Sequence, residues 1–171
     1  MSNNTHGSNQ SIQVVMTPPD FMEAVKRKFG RVYFDLAASP ENTQADKFYT
    51  EKDDGLSQSW HQIDTAHVST TPWLWLNPPF RYNREWSAKC REESELGAKI
   101  LLLTTASVGA EWFAQNVFGI ANVYLLKGRL KFVGHKDPYP KDLMLAVFNK
   151  ELLKPTIQVW DWRSNEILHL P

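Results

Sequence analysis

The stretch WLWLNPPF, residues 73–80, decides how this chain is expected to fold. Four consecutive large apolar residues, Trp73 to Leu76, predict a strand that is buried on both faces of a sheet. Two prolines follow, and because proline has no backbone N–H to donate, the strand must end there. Strands of this kind are typical of α/β proteins, in which helices cover both faces of a mostly parallel sheet.

The other predicted elements favour the same architecture with an antiparallel end, since strands alternate with helices early and follow one another late. Phe21, Val25 and Phe29 predict one apolar helix stripe, with Thr17 as the cap and Gly30 as the end. Residues 37–70 show little periodicity, which indicates a functional loop or a missed element. Strands are predicted at 32–36, 100–103, 143–148 and, at the sheet edge, 156–162; helices at 83–95 and 109–117; and a hairpin or kinked strand pair at 123–126 and 130–133.

Length and composition favour one globular domain over residues 12–171, preceded by an Asn- and Ser-rich tail over 1–11 that we expect to be disordered. With 19 basic and 19 acidic residues, the net charge gives no general attraction to nucleic acid, so any such contact must be local. The single cysteine excludes an internal disulfide, and no apolar run approaches the length of a membrane span. The histidines show no metal-binding spacing, so we expect no metal. A cytoplasmic protein is the expectation.

The NPPF tetrad, residues 77–80, places unusual chemistry at the carboxyl end of a strand, which is where open α/β sheets bind ligands. The prolines stiffen an extended turn, in which the Asn77 amide oxygen and the Pro78 carbonyl oxygen can both accept hydrogen bonds from one NH2 group. Phe80 offers a flat face for a planar ring. The tetrad therefore predicts a site for an aromatic amine aimed at an electrophilic methyl group, although a plain proline turn would look the same.

Taken together, the motifs resemble those of one family, the phage-type DNA adenine-N6 methyltransferases, which use S-adenosylmethionine. The resemblance covers roughly residues 15–148 and implies a Rossmann-like class I methyltransferase fold acting on DNA. It also suggests the cytoplasm of a bacterial host cell, with a phage or prophage gene among the options. The matching pieces are TPPDF (17–21), FDLAAS (34–39), DGL (54–56) with Trp60, NPPF (77–80), WF (112–113), GRLKF (128–132) and DLMLAVF (142–148).

The resemblance implies a set of cofactor-binding residues. FDLAAS would form the first cofactor loop, where the wider superfamily is rich in glycine, and Asp35 would accept from the methionine amino group. Asp54 would contact the adenosine part, with Asp53 or Glu51 as alternatives. The TPPDF segment would line the methionine end. The implied cofactor-binding residues are Thr17, Pro18, Phe21, Asp35, Ala37, Ala38, Ser39, Asp54 and Asn77, and the catalytic residues are Asn77, Pro78, Pro79 and Phe80.

Basic side chains near the predicted site are candidates for contact with DNA phosphates. Lys127, Arg129 and Lys131 alternate and would share one face of a strand. Arg81 follows NPPF directly, and Lys136 lies in the loop 134–142. A target base in duplex DNA would have to flip out to reach Asn77.

Other functions remain open at this stage. The NPP-aromatic site suits any planar amine, so cytosine N4, an RNA base and a protein glutamine are alternative substrates. The departure from glycine in FDLAAS also leaves room for a catalytically silent DNA-binding protein. No separate target-recognition domain is evident, which predicts short or loose sequence specificity.

Overall fold

The computed structural model describes residues 16–65, 67–68 and 72–169, so the predicted tail over 1–11 lies outside the described residues. Three helices and eight strands are present in this part of the chain, together with short 3-10 turns. The helices are α1 (Pro19–Phe29), α2 (Asn83–Glu95) and α3 (Glu111–Asn116). The strands are β1 (Val32–Asp35), β2 (Lys47–Phe48), β3 (Trp73–Leu76), β4 (Ile100–Thr105), β5 (Asn122–Leu126), β6 (Leu143–Phe148), β7 (Ile157–Asp161) and β8 (Glu166–Leu168).

All eight strands form one sheet in the order β2-β1-β3-β4-β6-β5-β7-β8. The first half, β2 to β4, is parallel, and β6 runs antiparallel to both of its neighbours. β7 pairs parallel with β5, and β8 closes the sheet antiparallel to β7. The predicted α/β, Rossmann-like sheet with an antiparallel end is therefore confirmed.

The strand order reverses direction at β1. From β1 the chain passes to β2 on one side, whereas β3 and β4 lie on the other side. In doubly wound sheets such a reversal opens a crevice at the carboxyl ends of the two strands that flank it. Here those ends carry Asp35 of β1 and Asn77, which directly follows β3. The fold thus brings two of the predicted site residues to the position where ligands bind in this architecture.

Apolar side chains cover both faces of the sheet. On one face, Trp86 and Cys90 of α2 and Phe113 of α3 pack against the sheet. On the other face, Phe21 and Val25 of α1 do so. Trp75 in β3 is only 1% exposed, which fits a central strand buried on both sides. No helix among the described residues is long and apolar enough to cross a membrane.

The segment 130–133 is not a strand, so the predicted hairpin or kinked strand pair is wrong. β5 is already paired with β6 on one side and β7 on the other, and therefore has no open edge for a third partner. Gly128, with a φ of 75°, turns the chain away from β5. Val133 makes only an isolated bridge, to Met16. Leu130 and Phe132 are nevertheless buried.

Two further differences concern the sheet edges. The short strand β2, within the stretch that lacked periodicity, was missed because it has two residues, of which Lys47 is exposed and Phe48 half-buried. The segment predicted as the edge, 156–162, forms β7, but it is not the edge. Asn165, with a φ of 63°, turns the chain back so that β8 pairs with β7.

Candidate functional site

The NPPF tetrad leaves the sheet as an extended segment and then turns sharply. Pro78 is buried, and Pro79 precedes a 3-10 turn over Phe80–Tyr82. The Tyr82 N–H donates to the Pro79 carbonyl oxygen at 3.0 Å, which closes the turn. Helix α2 begins at the next residue. The tetrad is therefore fixed between a buried strand and a helix that packs on the sheet.

Asn77 contacts the other proline motif of the chain. Its Nδ2 donates to Thr17 Oγ1 at 3.1 Å, so TPPDF and NPPF meet across 60 residues of sequence. This corrects the expected role of Thr17 as a helix cap, because α1 is preceded by Pro18 and has no side-chain cap. In this arrangement Nδ2 is directed at Thr17, and Oδ1 is turned away from it.

The first loop closes around the Asp35 carboxylate. Oδ2 accepts from the Gln44 N–H at 2.9 Å and Oδ1 from the Ala37 N–H at 3.3 Å, and the residue is only 2% exposed. Burial raises the pKa of Asp35 to about 6, and the two backbone N–H groups oppose that rise. These hydrogen bonds give Asp35 a role in shaping the loop. Because each carboxylate oxygen can accept two hydrogen bonds, the expected contact with a cofactor amino group stays a prediction.

The raised pKa of Asp35 predicts how stability responds to pH. The folded state holds this proton up to a pH of about 6, whereas an unfolded Asp releases it near 4. The unfolding free energy therefore falls, by up to roughly 3 kcal/mol, as pH rises from 4 through 6. Asp35→Asn cannot ionise and should lack this component. Urea titrations of both proteins at pH 4, 5, 6 and 7 measure it, and a difference between them that does not change with pH contradicts the assignment.

The DGL motif packs tightly under the first loop. A Cβ on Gly55 would lie less than 3.0 Å from the Leu36 carbonyl oxygen, so only glycine fits there. The buried Trp60 indole N–H donates to the Gly55 carbonyl oxygen at 2.7 Å. Asp53 accepts from both the N–H and the hydroxyl of Thr50, which makes it a cap, whereas Asp54 is exposed with a φ of 49°.

Phe21 belongs to the core, which corrects its expected place beside a cofactor. It is 0% exposed, and its ring lies 5.4 Å from Trp162 and 6.0 Å from Trp160. A side chain in this position cannot reach a ligand at the surface. Pro18 is also buried, whereas the remaining residues of the first loop, Ala37, Ala38 and Ser39, are half-buried.

A cleft of about 240 Å³ lies between α1 and the first loop. Thr17 lines it, so the cleft reaches the partner of Asn77. A second cleft of about 420 Å³ adjoins it and shares Lys26 and Gln44. Lys26 carries no signal in the sequence because it is one exposed helix position among many, and only the folded loop places a cleft of ligand size beside it. The first cleft is lined by Met16, Thr17, Pro19, Met22, Glu23, Lys26, Glu41, Asn42, Thr43 and Gln44.

Comparison with known proteins identifies the family of this chain. The model of the DNA N-6-adenine-methyltransferase (Dam) family matches residues 4–158. The chain belongs to the Dam family. A DNA N-6-adenine-methyltransferase of Escherichia phage T1 is 29% identical over 132 residues, which are 68% of this chain and 52% of that relative. The chain thus spans about half the length of the relative that it matches.

A solved structure, that of a predicted O-methyltransferase from Agrobacterium tumefaciens, is similar with a TM-score of 0.30 and 17% identity. The similarity covers 66% of this chain and 51% of the other. It is too weak to bear on the fold of the Dam-family chain, which is defined by its own strand order.

The basic residues of the Dam-family chain do not form the expected strip along a strand, because the chain leaves the sheet at Leu126. Lys127 pairs with Asp161 at 2.6 Å, and Arg129 lies 3.6 Å from Asp142. Lys131 and Lys136 are exposed. The exposed Arg81 lies over the ring of Tyr82, 4.6 Å from its centroid, beside the NPPF turn.

Among the described residues, neither a metal-binding cluster nor the cysteine takes part in this site. Across residues 16–65, 67–68 and 72–169, no group of three or more His, Cys, Asp or Glu residues comes together to hold a metal ion. Cys90 is fully buried in α2, and burial raises the pKa of its thiol well above the usual value. The thiol is therefore protonated and inaccessible.

Proposed function

We propose that this chain transfers a methyl group from S-adenosylmethionine to the N6 amino group of adenine in DNA. The observation that carries the proposal is the oriented Asn77 amide, at the carboxyl end of β3 and beside the reversal of strand order, in a chain of the Dam family. Doubly wound sheets bind ligands at this place. The NPPF tetrad supplies there the acceptors and the aromatic face that an aromatic amine requires.

The mechanism depends on orientation more than on a strong base. Asn77 Oδ1 and the Pro78 carbonyl oxygen accept the two N6 hydrogens, which draws the nitrogen lone pair out of the ring and towards the methyl donor. Phe80 stacks against the flipped base. S-adenosylmethionine, when bound, supplies the electrophilic methyl group. The new carbon–nitrogen bond forms as the methyl–sulfur bond of the donor breaks, and the nitrogen, now positively charged, releases one of its protons to water.

The residues around the cleft suit a cofactor with a zwitterionic methionine end. Lys26 offers a cation for its carboxylate, Glu41 an anion for its ammonium group, and Gln44 an amide for either. The small side chains of Ala37 and Ala38 permit close approach of the sulfonium end. We propose that Thr17, Ser39, Asp54 and Asn77 complete the cofactor site, with Asp35 shaping its loop and the buried Pro18 holding the segment that carries Thr17.

Lys26→Ala is expected to weaken binding of S-adenosylhomocysteine about tenfold, because the ligand's carboxylate loses its cationic partner. Binding of 5′-methylthioadenosine, which has no carboxylate, should stay unchanged. Isothermal titration calorimetry measures both affinities. Arg27→Ala is the matched control, since Arg27 is the next exposed cation of α1 and does not line the cleft. An equal loss for both ligands contradicts this orientation of the cofactor.

DNA contact is proposed for the exposed cations around the turn and the following loop, Arg81, Lys131 and Lys136. Lys127 and Arg129 contribute to the same positive field, although each shares its charge with an acid. Phosphate contacts of this kind would make DNA affinity fall steeply with salt.

Methyl-labelled S-adenosylmethionine tests the substrate class. The protein and the labelled cofactor are incubated in three separate reactions, with unmethylated DNA, with RNA or with protein from a cell extract. The proposal expects label in DNA. Label only in RNA or protein would keep the chemistry and replace the substrate. Binding of the cofactor with no transfer would favour a silent DNA-binding protein.

A further inference from the structure

Phe80 does not stand alone beside the site, because two other aromatic rings pack against it. Its ring centroid lies 5.3 Å from that of Tyr139, at an interplanar angle of 77°, and 6.4 Å from that of Phe132, at 54°. Tyr139 and Phe132 are themselves 5.8 Å apart at 85°. The three rings therefore form one cluster with edge-to-face contacts, an arrangement that is favourable for aromatic pairs.

The members of this cluster differ in how firmly the fold holds them. Phe132 is 2% exposed and belongs to the core. Phe80 is half-buried, at the start of the turn that follows NPP. Tyr139 is also half-buried and lies in the loop 134–142, where its N–H donates to the Leu130 carbonyl oxygen at 2.8 Å. Phe80 thus has one fixed neighbour, from the core, and one neighbour from a surface loop.

The loop that carries Tyr139 is otherwise exposed and rich in charge. Residues 134–138, which include Lys136, are exposed, and so is Lys141 on the other side of Tyr139 in the sequence. These lysines are within a few residues of the tyrosine, so phosphate contact at the loop would act directly on the segment that holds Tyr139 against Phe80. Burial raises the pKa of the Tyr139 hydroxyl, so the ring stays neutral at working pH.

We propose that Tyr139 is a positioning residue for Phe80, through which the loop 134–142 couples contact with DNA phosphates to the orientation of the flipped base. The inference rests on the proposed function and deepens it. Phe80 requires a defined ring plane to stack on a base, and an aromatic neighbour on its outer side restricts that plane. The ring of Tyr139 supplies the restriction, and its hydroxyl does not.

The test compares three substitutions at Tyr139 with the wild-type protein, using a DNA duplex that wild type methylates. Tyr139→Ala removes the ring, Tyr139→Leu keeps apolar bulk without a ring, and Tyr139→Phe keeps the ring without the hydroxyl. We expect kcat to fall at least tenfold for Ala and Leu, and Phe to stay within twofold of wild type. S-adenosylhomocysteine affinity and the melting temperature of the Leu and Phe variants should match wild type.

A second comparison separates positioning from DNA contact. Lys136→Ala combined with Lys141→Ala should raise KM for DNA and also lower kcat, because the loop then no longer transmits phosphate contact to Tyr139. In a protein that already carries Tyr139→Leu, the same two lysine substitutions should still raise KM but lower kcat no further. Equal kcat for Tyr139→Leu and wild type, or a Phe variant as impaired as the Leu variant, overturns the inference while leaving the proposed function intact. If wild type itself methylates no DNA, the proposed function and the inference both fail.

Discussion

Asn77→Ala is expected to lower the rate of methyl transfer at least ~100-fold, the scale seen when one hydrogen-bonding group is removed from a developing charge in an active site. The alanine has no acceptor for the N6 hydrogens, so the lone pair of the amine stays delocalised in the ring. Affinity for S-adenosylhomocysteine should change by less than about fivefold, because the cleft beside α1 keeps its lining. Single-turnover transfer and calorimetric binding measure the two quantities separately.

Two further variants show whether the effect comes from the oriented acceptor. Asn77→Asp keeps acceptor oxygens and should retain more activity than Asn77→Ala. Thr17→Val removes the hydroxyl that accepts from Asn77 Nδ2, so the amide loses one of the contacts that orient it, and we expect an intermediate loss of about tenfold. Full activity in Asn77→Ala would show that the methyl acceptor binds elsewhere.

The second large effect is expected at Gly55, and it concerns folding. Gly55→Ala places a methyl group less than 3.0 Å from the Leu36 carbonyl oxygen, which belongs to the backbone and cannot rotate away. Overpacking of this kind costs about 1–3 kcal/mol, and in a chain of this length each kcal/mol lowers the melting temperature by about 2–4 °C. Because Leu36 leads into the first loop, cofactor affinity should fall as well.

Gly109→Ala is the matched control for this prediction. A Cβ at Gly109 meets no atom within 4 Å, and the backbone there does not have a positive φ. The control should be neutral or stabilise the protein by a few tenths of a kcal/mol through the unfolded state. Equal melting temperatures for both variants would show that the contact between DGL and the first loop can relax without cost.

The parts of the fold that the sequence predicted well are those with a strong local signal. The run Trp73 to Leu76 and the run 143–148 are continuous and apolar, and both are strands at those positions. Helix α2 begins and ends as predicted, at 83 and 95, because it lies between the rigid NPP turn and a glycine that ends it. Such signals are contained within a few neighbouring residues.

The segment 130–133 shows where local signals fail. Leu130 and Phe132, which alternate with charged residues in the sequence, are both buried. Whether an extended segment becomes a strand, however, depends on an open edge, and β7 occupies the edge of β5. That pairing joins residues about 34 positions apart, so it cannot be recognised from a short window of sequence.

The sequence predicted where NPPF lies in the fold, but it did not predict the residues that surround this tetrad. NPPF stands at the carboxyl end of β3, as its sequence indicated, because two prolines must end a strand. The hydrogen bond from Asn77 to Thr17, the cleft at Lys26 and the ring of Tyr139 against Phe80 all depend on tertiary contacts. Phe21 illustrates the reverse error, since its position in a shared motif indicated a ligand but its packing makes it core.

The most direct test of the central claim is to identify the methylated nucleoside. Unmethylated DNA is incubated with the protein and methyl-labelled S-adenosylmethionine, digested to nucleosides and separated by chromatography with mass detection, with Asn77→Ala in parallel. We predict label in N6-methyladenine with the wild-type protein and almost none with the variant. Label in N4-methylcytosine, or equal label from both proteins, would contradict the account.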